Sequence, residues 1–327
     1  MTGAAARRMA RAGRALLVLG LIAGAPAGAA SLTRVPSIGY LADEPTPDSL
    51  PVLRAALAER AWVDSESLAI VPRYAQGKPE IYAQQADELA RLDVAVIVAV
   101  GVPAIAAARR ATTTIPIVMV SLDDPAAAGL TSPGANLTGL TTFVEELSAR
   151  RLELLRQVVP GLARATALWN PASPSAAADL RATRAAARTQ SVELAAAEIR
   201  GDSDMREVFA KVETQRPQGL IVLADALTLA RREPIAASAR RMRLPAVFAL
   251  RDFADAGGLL SYGAAWTDVF RQAAALVDRI LKGASPADLP PVARASRFEL
   301  VINLRTARAL GLPIPLPLLR RADRVIE

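Results

Sequence analysis

Short apolar runs rich in valine and isoleucine alternate along the chain with longer segments in which alanine, leucine and arginine recur at helical spacing. The runs at residues 35–41, 68–74, 94–100 and 115–120 read as strands, and a second series follows at 165–169, 192–198, 219–223 and 246–250. Helical periodicity marks residues 47–61, 78–92, 103–111, 144–158, 173–189, 202–215 and 227–242. Strands alternating with helices of this length are the pattern of a parallel sheet with crossover helices. Two successive sets of four such units predict two doubly wound parallel-sheet lobes.

Between the sets, residues 124–142 are rich in Gly, Ser, Pro, Asn and Thr and carry no helical period, which predicts loops and a crossing strand. After the second set, Gly257 and Gly258 precede a short strand at 259–263, and a long helix follows at about 266–282. We read that helix as returning to the first lobe, with residues 296–302 leading back to the second, so that three segments form the hinge. The expected division is 34–140 plus about 264–288 for lobe 1 and 141–263 plus about 289–327 for lobe 2. Pro313, Pro315 and Pro317 remove amide donors and clash with preceding carbonyls, so the tail is expected as an extended strap before a last short turn.

The first 30 residues stand apart. Arg7, Arg8, Arg11 and Arg14, with no acid among them, precede an apolar run at 15–25 and a small-residue stretch ending near Ser31. That is the three-part design of a secretory signal peptide, with cleavage expected after Ala27 or Ala30. A membrane anchor is the alternative, but the run is well short of the roughly 20 residues that span a bilayer. Removing the four leader arginines from the net charge of +7 leaves +3. Arg54, Arg109, Arg151, Arg181 and Arg240 are then the solvated faces of helices. With aromatic residues at 4%, little surface is available for stacking bases, and no nucleic-acid partner is expected. No later apolar stretch reaches membrane-spanning length.

The chain contains neither cysteine nor histidine. It cannot carry a lipid-modified cysteine or a disulfide, and it lacks the commonest general base and the commonest metal ligand. No metal site and no cofactor are expected. Phosphate-loop and dinucleotide glycine motifs are absent, and no spacing of carboxylates singles out an acid and base pair.

In open parallel sheets, ligands bind beyond the carboxyl ends of the strands, where helix N-termini direct amides inward. The candidates are therefore Tyr40 and Asp43 after the first strand, the turn Gly101, Val102, Pro103 and Ala104 after the third, and Ser121, Asp123 and Asp124 after the fourth. In the second lobe they are Asn170 and Ser173, then Asp225, then Arg251 and Asp252. Gly101 permits a tight turn and Pro103 suits a first helical turn, so the amides of Gly101, Val102 and Ala104 either hold an anionic group or form an ordinary strand-to-helix turn. Asp225 is either an N-cap or the counter-ion of a ligand ammonium. Asn136 and Thr138 serve as turn formers or face the cleft from the crossing segment.

Several segments together resemble the TrpX-like ABC transporter substrate-binding proteins. They are residues 128–140 (AGLTSPGANLTGL), 167–171 (ALWNP), 251–253 (RDF) with 257–263 (GGLLSYG, which contains Tyr262), and the ending 298–304 (FELVINL), 309–312 (ALGL) and 321–323 (RAD). The resemblance implies a type I periplasmic binding protein fold that captures a small molecule in a cleft and delivers it to an ABC permease with its ATPase partner. Some relatives are associated with aromatic amino acids. It further implies that Gly101 to Ala104, Ser121, Asp124, Asn136, Thr138, Asn170 and Asp225 face the cleft. The chain departs from the family pattern at Asp225-Ala226, where relatives tend to have Asp-Asn, and at Gly101-Val102, where they tend to have Ser-Asn. The expected protein is a periplasmic monomer without enzymatic activity. An envelope sensory module and a carboxylate-dependent enzyme are the alternatives.

The leader generates a direct test. Mass spectrometry of protein from the periplasmic fraction is expected to show an N-terminus at Gly28 or Ser31, and exported protein retaining Met1 would contradict the cleavage.

Overall fold

The computed structural model describes residues 35–46, 49–76, 78–121, 136–142, 146–201, 203–290 and 292–327. The leader and Asp124 lie outside these residues. From the start of the described chain, the elements are β1 (Ser37–Ala42), α1 (Leu50–Ala58), β2 (Ala69–Tyr74), α2 (Pro79–Arg91), β3 (Val96–Val100), α3 (Val102–Ala111), β4 (Ile117–Ser121) and β5 (Leu137–Thr141). The second half begins with α4 (Glu146–Val158), β6 (Arg164–Trp169), α5 (Pro174–Thr189), β7 (Glu193–Glu198), α6 (Met205–Gln215) and β8 (Gly219–Val222). It continues through α7 (Ala226–Ala230), α8 (Arg232–Arg241), β9 (Ala246–Phe248), α9 (Arg251–Asp255) and β10 (Leu260–Ala264). The chain then returns through α10 (Trp266–Leu281) and β11 (Ala293–Arg294), and ends with β12 (Phe298–Asn303), α11 (Leu304–Leu310), α12 (Leu316–Leu319) and β13 (Arg324–Ile326).

The first sheet has the order β11-β5-β4-β3-β1-β2, with every pairing parallel. Its strands alternate with period two between two apolar layers. Ile38, Tyr40, Val96, Val98 and Val120 face the core formed with α1 and α10, whereas Leu41, Ile97, Ala99 and Met119 face α2 and α3. Burial on both faces explains why these strands are unbroken apolar runs in the sequence. The second sheet repeats the plan: Ala167, Ile221 and Val247 pack toward α4, α5 and α11, and Leu168, Val222 and Phe248 toward α6, α8 and α9. Its order is β13-β12-β10-β9-β8-β6-β7.

Three passages of chain join the lobes, and they are hydrogen-bonded to one another. The Ala265 N–H donates to the Arg297 carbonyl (3.1 Å), and the Ala295 N–H donates to the Thr141 carbonyl (2.8 Å). The third passage lies at residues 295–297, because β11 adds to the edge of the first sheet beside β5. A strand entering the second lobe from this edge must run against one that leaves there, and β12 is antiparallel to β10. The second sheet is therefore mixed. The chain end does not finish as a strap and turn: β13 pairs with β12 in parallel. The helix expected over 227–242 is two helices, α7 and α8, broken at Arg231. Pro234 signals this, since proline is tolerated in a first helical turn and not in an interior.

Beneath the crossings, α4 and α5 are joined by a buried ion pair, so Arg151 does not lie on a solvated helix face as its sequence context suggested. Arg151 Nη1 lies 2.8 Å from Asp179 Oδ2, with the two residues 4% and 8% exposed. Ser148 Oγ also donates to the Asp179 carboxylate. Arg151→Met leaves Asp179 buried without its counter-charge and is expected to lower stability by about 3–5 kcal/mol. Urea unfolding measures this, and adding Asp179→Leu is expected to recover most of the loss.

Candidate functional site

The strand order of the first sheet reverses between β1 and β3, and at such a switch point the helices leave on opposite faces and open a crevice at the carboxyl edge. A cavity of about 220 Å³ occupies this place. The first lobe contributes the carboxyl ends of β1 and β3, through Tyr40, Ala42 and Val100, together with the turn into α3. From the second lobe come Ala226, Leu229, Ala230, Arg232 and Asp252. Trp266, where the second crossing enters α10, stacks on Phe270 with ring centroids 5.7 Å apart, and both rings line the cavity. A volume below the ~300 Å³ at which drug-sized pockets begin suits a single small solute.

Within the α3 turn, Gly101 has φ +85°, a conformation that side-chain-bearing residues rarely adopt, and it lets the strand turn directly into the helix. Its amide is not available to a ligand, because it donates to the Val120 carbonyl at 2.8 Å. Pro103 has no amide and Ala104 is fully buried, so the anion cradle expected at this turn reduces to the Val102 amide. Tyr40 is also held in the lobe: its ring meets Tyr74 edge-on at 6.2 Å, and burial pushes its hydroxyl pKa above the usual phenol range, with Ser49 opposing. The acidic groups on the cavity wall are Asp43, Glu44 and Asp252. Asp43 accepts a hydrogen bond from Tyr82, whose hydroxyl is raised first by burial and further by that carboxylate.

Of the residues singled out in the sequence, Tyr40, Gly101, Val102 and Pro103 come together at the cavity, along with Asp43 and Asp252. Others are engaged elsewhere. Ser121 is fully buried at the end of β4, and its carbonyl accepts from the Thr142 amide. Asn136 precedes β5 and so sits at the opposite, amino-terminal edge of the sheet, where its Nδ2 donates to the Ile115 carbonyl at 2.9 Å. Thr138 is fully buried and donates to the Pro290 carbonyl at 2.6 Å. Neither therefore faces the cleft.

The second sheet has its own switch point, between β6 and β8, and there a side-chain bond spans the crevice: Asn170 Nδ2 donates to Asp225 Oδ2 at 2.5 Å. The other Asp225 oxygen accepts from the Thr228 amide at 2.8 Å and from the Thr228 hydroxyl at 2.9 Å, which makes Asp225 the N-cap of α7. Ser173 caps α5 by accepting from the Ala176 amide. Arg251 lies 3.9 Å from Glu299 and 4.0 Å from Asp255, and Tyr262 packs against Phe298 at 6.4 Å. None of these five lines the cavity.

Sequence reasoning missed Arg232, Trp266 and Phe270. The two aromatics occupy the first turns of a helix that the sequence did show, and their spacing of four residues was the available signal. For Arg232 the signal was Pro234, which starts a new helix and turns its first residue toward the first lobe.

Comparison with known proteins agrees with this architecture. Residues 52–326 match the family described as ABC transporter substrate binding protein. A tyrosine-binding protein of Clostridioides difficile (strain R20291) is 23% identical over 261 residues, covering 79% of this chain and 74% of the relative. An ABC domain from Streptococcus pneumoniae, solved in complex with L-Trp, is 22% identical with a TM-score of 0.81, covering 90% of this chain and 100% of that one. The ligand-free, open structure of a substrate-binding protein with adhesive properties from Clostridium difficile is 22% identical with a TM-score of 0.70, covering 89% and 99% of the two chains. Among the described residues no helix is long and apolar enough to cross a membrane. Two doubly wound lobes, a hinge of three chain passages and a match spanning most of the chain place this protein in the family of ABC transporter substrate-binding proteins, with a type I periplasmic binding protein fold.

Proposed function

We propose that this chain is exported by its cleavable leader and works in the periplasm as the monomeric solute-binding component of an ABC importer, delivering an amino acid with an apolar, aromatic-sized body to the permease and its ATPase. The observation that carries this reading is the composition of the cavity, whose walls come from both lobes. A solute that touches the α3 turn and the α7–α8 junction together contacts both lobes only when they are closed, so it shifts the hinge toward the closed state. Trp266 and Phe270 offer a flat apolar surface at the crossing. Arg232 and the three carboxylates give the wall charges of both signs, which suits a zwitterion. The relatives that bind tyrosine and tryptophan support an aromatic side chain. The solute is released chemically unchanged.

The test is a thermal-shift screen of the mature protein against the amino acids. Tyrosine and tryptophan are expected to raise the melting temperature by mass action, with smaller shifts for aspartate and glycine. Equal shifts throughout, or none, would overturn the aromatic reading, and a chemically altered ligand recovered in proportion to protein would support an enzyme. Trp266→Ala is expected to weaken binding of whichever of the two binds. Asp225→Ala removes a helix cap that does not line the cavity. It is expected to lower stability by about 1–2 kcal/mol, measured by denaturation, with affinity in calorimetry little changed.

A further inference from the structure

One charged side chain on the cavity wall has no counter-charge among the described residues. Among the described residues Arg232 is the sole basic one lining the cavity, and it is half-buried at the start of α8. Its one side-chain hydrogen bond among the described residues runs from Nη1 to the Leu229 carbonyl at 3.1 Å, and no carboxylate lies within ion-pair distance. The arginines that serve structure in this protein are placed differently: Arg151 is paired with Asp179, Arg73 with Glu88, and Arg54 with Asp64. A guanidinium has five donors in a fixed plane, so most of Arg232's capacity is unused, and it stands beside apolar and aromatic walls that weaken its hydration.

We propose that Arg232 holds the carboxylate of the captured solute and is the contact by which the second lobe closes on it. The inference rests on the amino-acid reading above and adds an orientation to it. The carboxylate points toward α8 in the second lobe, the body lies along Trp266 and Phe270, and the ammonium is left on the acidic side of the wall, where Asp43 and Glu44 follow β1. The α3 turn is the alternative place for the carboxylate, but Gly101 has given its amide to Val120 and Ala104 is buried, which leaves that turn a single donor at the cavity. A guanidinium can instead give two parallel hydrogen bonds to a carboxylate, stronger than bonds between neutral groups.

Calorimetry with two matched pairs of probes decides the matter: L-tyrosine against L-tyrosinamide, and L-tryptophan against L-tryptophanamide. Within each pair the body and ammonium are kept and only the carboxylate is neutralised. The parent protein is expected to prefer the acid to the amide. Arg232→Gln is expected to reduce affinity for the acid about ten- to a hundred-fold while leaving the amide nearly unchanged, so that the preference collapses. Arg232→Lys, which keeps the charge and loses the planar fork, is expected to fall between the two. Unfolding curves of the ligand-free variants are expected to lie close to the parent's, since among the described residues the Arg232 side chain has no ion pair to lose and only the one hydrogen bond to the Leu229 carbonyl. If the acid-to-amide ratio is the same in Arg232→Gln as in the parent, the carboxylate lies elsewhere and the inference is overturned while the amino-acid reading stands. If the parent binds neither acid nor amide of either pair, the amino-acid reading itself fails and the orientation falls with it.

Discussion

A parallel sheet covered by helices on both faces leaves no free surface for polar chemistry except the edge at which strands give way to helices. In the first lobe that edge is also where the strand order reverses, between β1 and β3, and the cavity walled by both lobes forms there. The cavity, the turn at Gly101 and the approach of the second lobe all follow from this constraint. The left-handed Gly101 is needed because α3 must begin at once, on the face opposite α1, without a loop that would fill the crevice.

The two lobes meet the same constraint differently. At the second switch point, between β6 and β8, the bond from Asn170 to Asp225 closes the crevice from within, and Thr228 takes up the remaining capacity of the carboxylate. This lobe reaches the cavity one helix later, through the short α7 and the start of α8. The result is an asymmetric site in which the first lobe supplies the pocket and the second supplies a cover bearing a cation. The hydrogen-bonded crossings keep the covering lobe in register with the pocket, because a shift in one of the three passages has to be matched by the others.

The alternation of apolar runs and helical segments in the sequence was enough to fix two doubly wound lobes, since burial of both sheet faces forces continuous apolar strands that local composition reveals. The position of the pocket was legible for the same reason: Tyr40 and the Gly101 turn lie at strand ends, and strand ends are visible in a sequence. Pairings between distant segments left weaker traces. β11 is two residues long, and β13 follows a proline-rich tail, so neither has the length to show a period.

What the sequence could not determine was the partner of each polar side chain. Asn136, Thr138, Asn170 and Asp225 have the composition of a binding site, yet their hydrogen bonds go to a carbonyl near the far edge of the sheet, to Pro290, and to one another. Those partners lie between 21 and 152 residues away along the chain. Arg232, by contrast, reads in sequence as one more arginine on a surface helix. Only the tertiary structure, by breaking that helix at Arg231 and setting α8 against the cavity, decided that it lines the cavity with no counter-charge among the described residues, because satisfaction of a charge depends on which groups folding brings within a few ångströms of it.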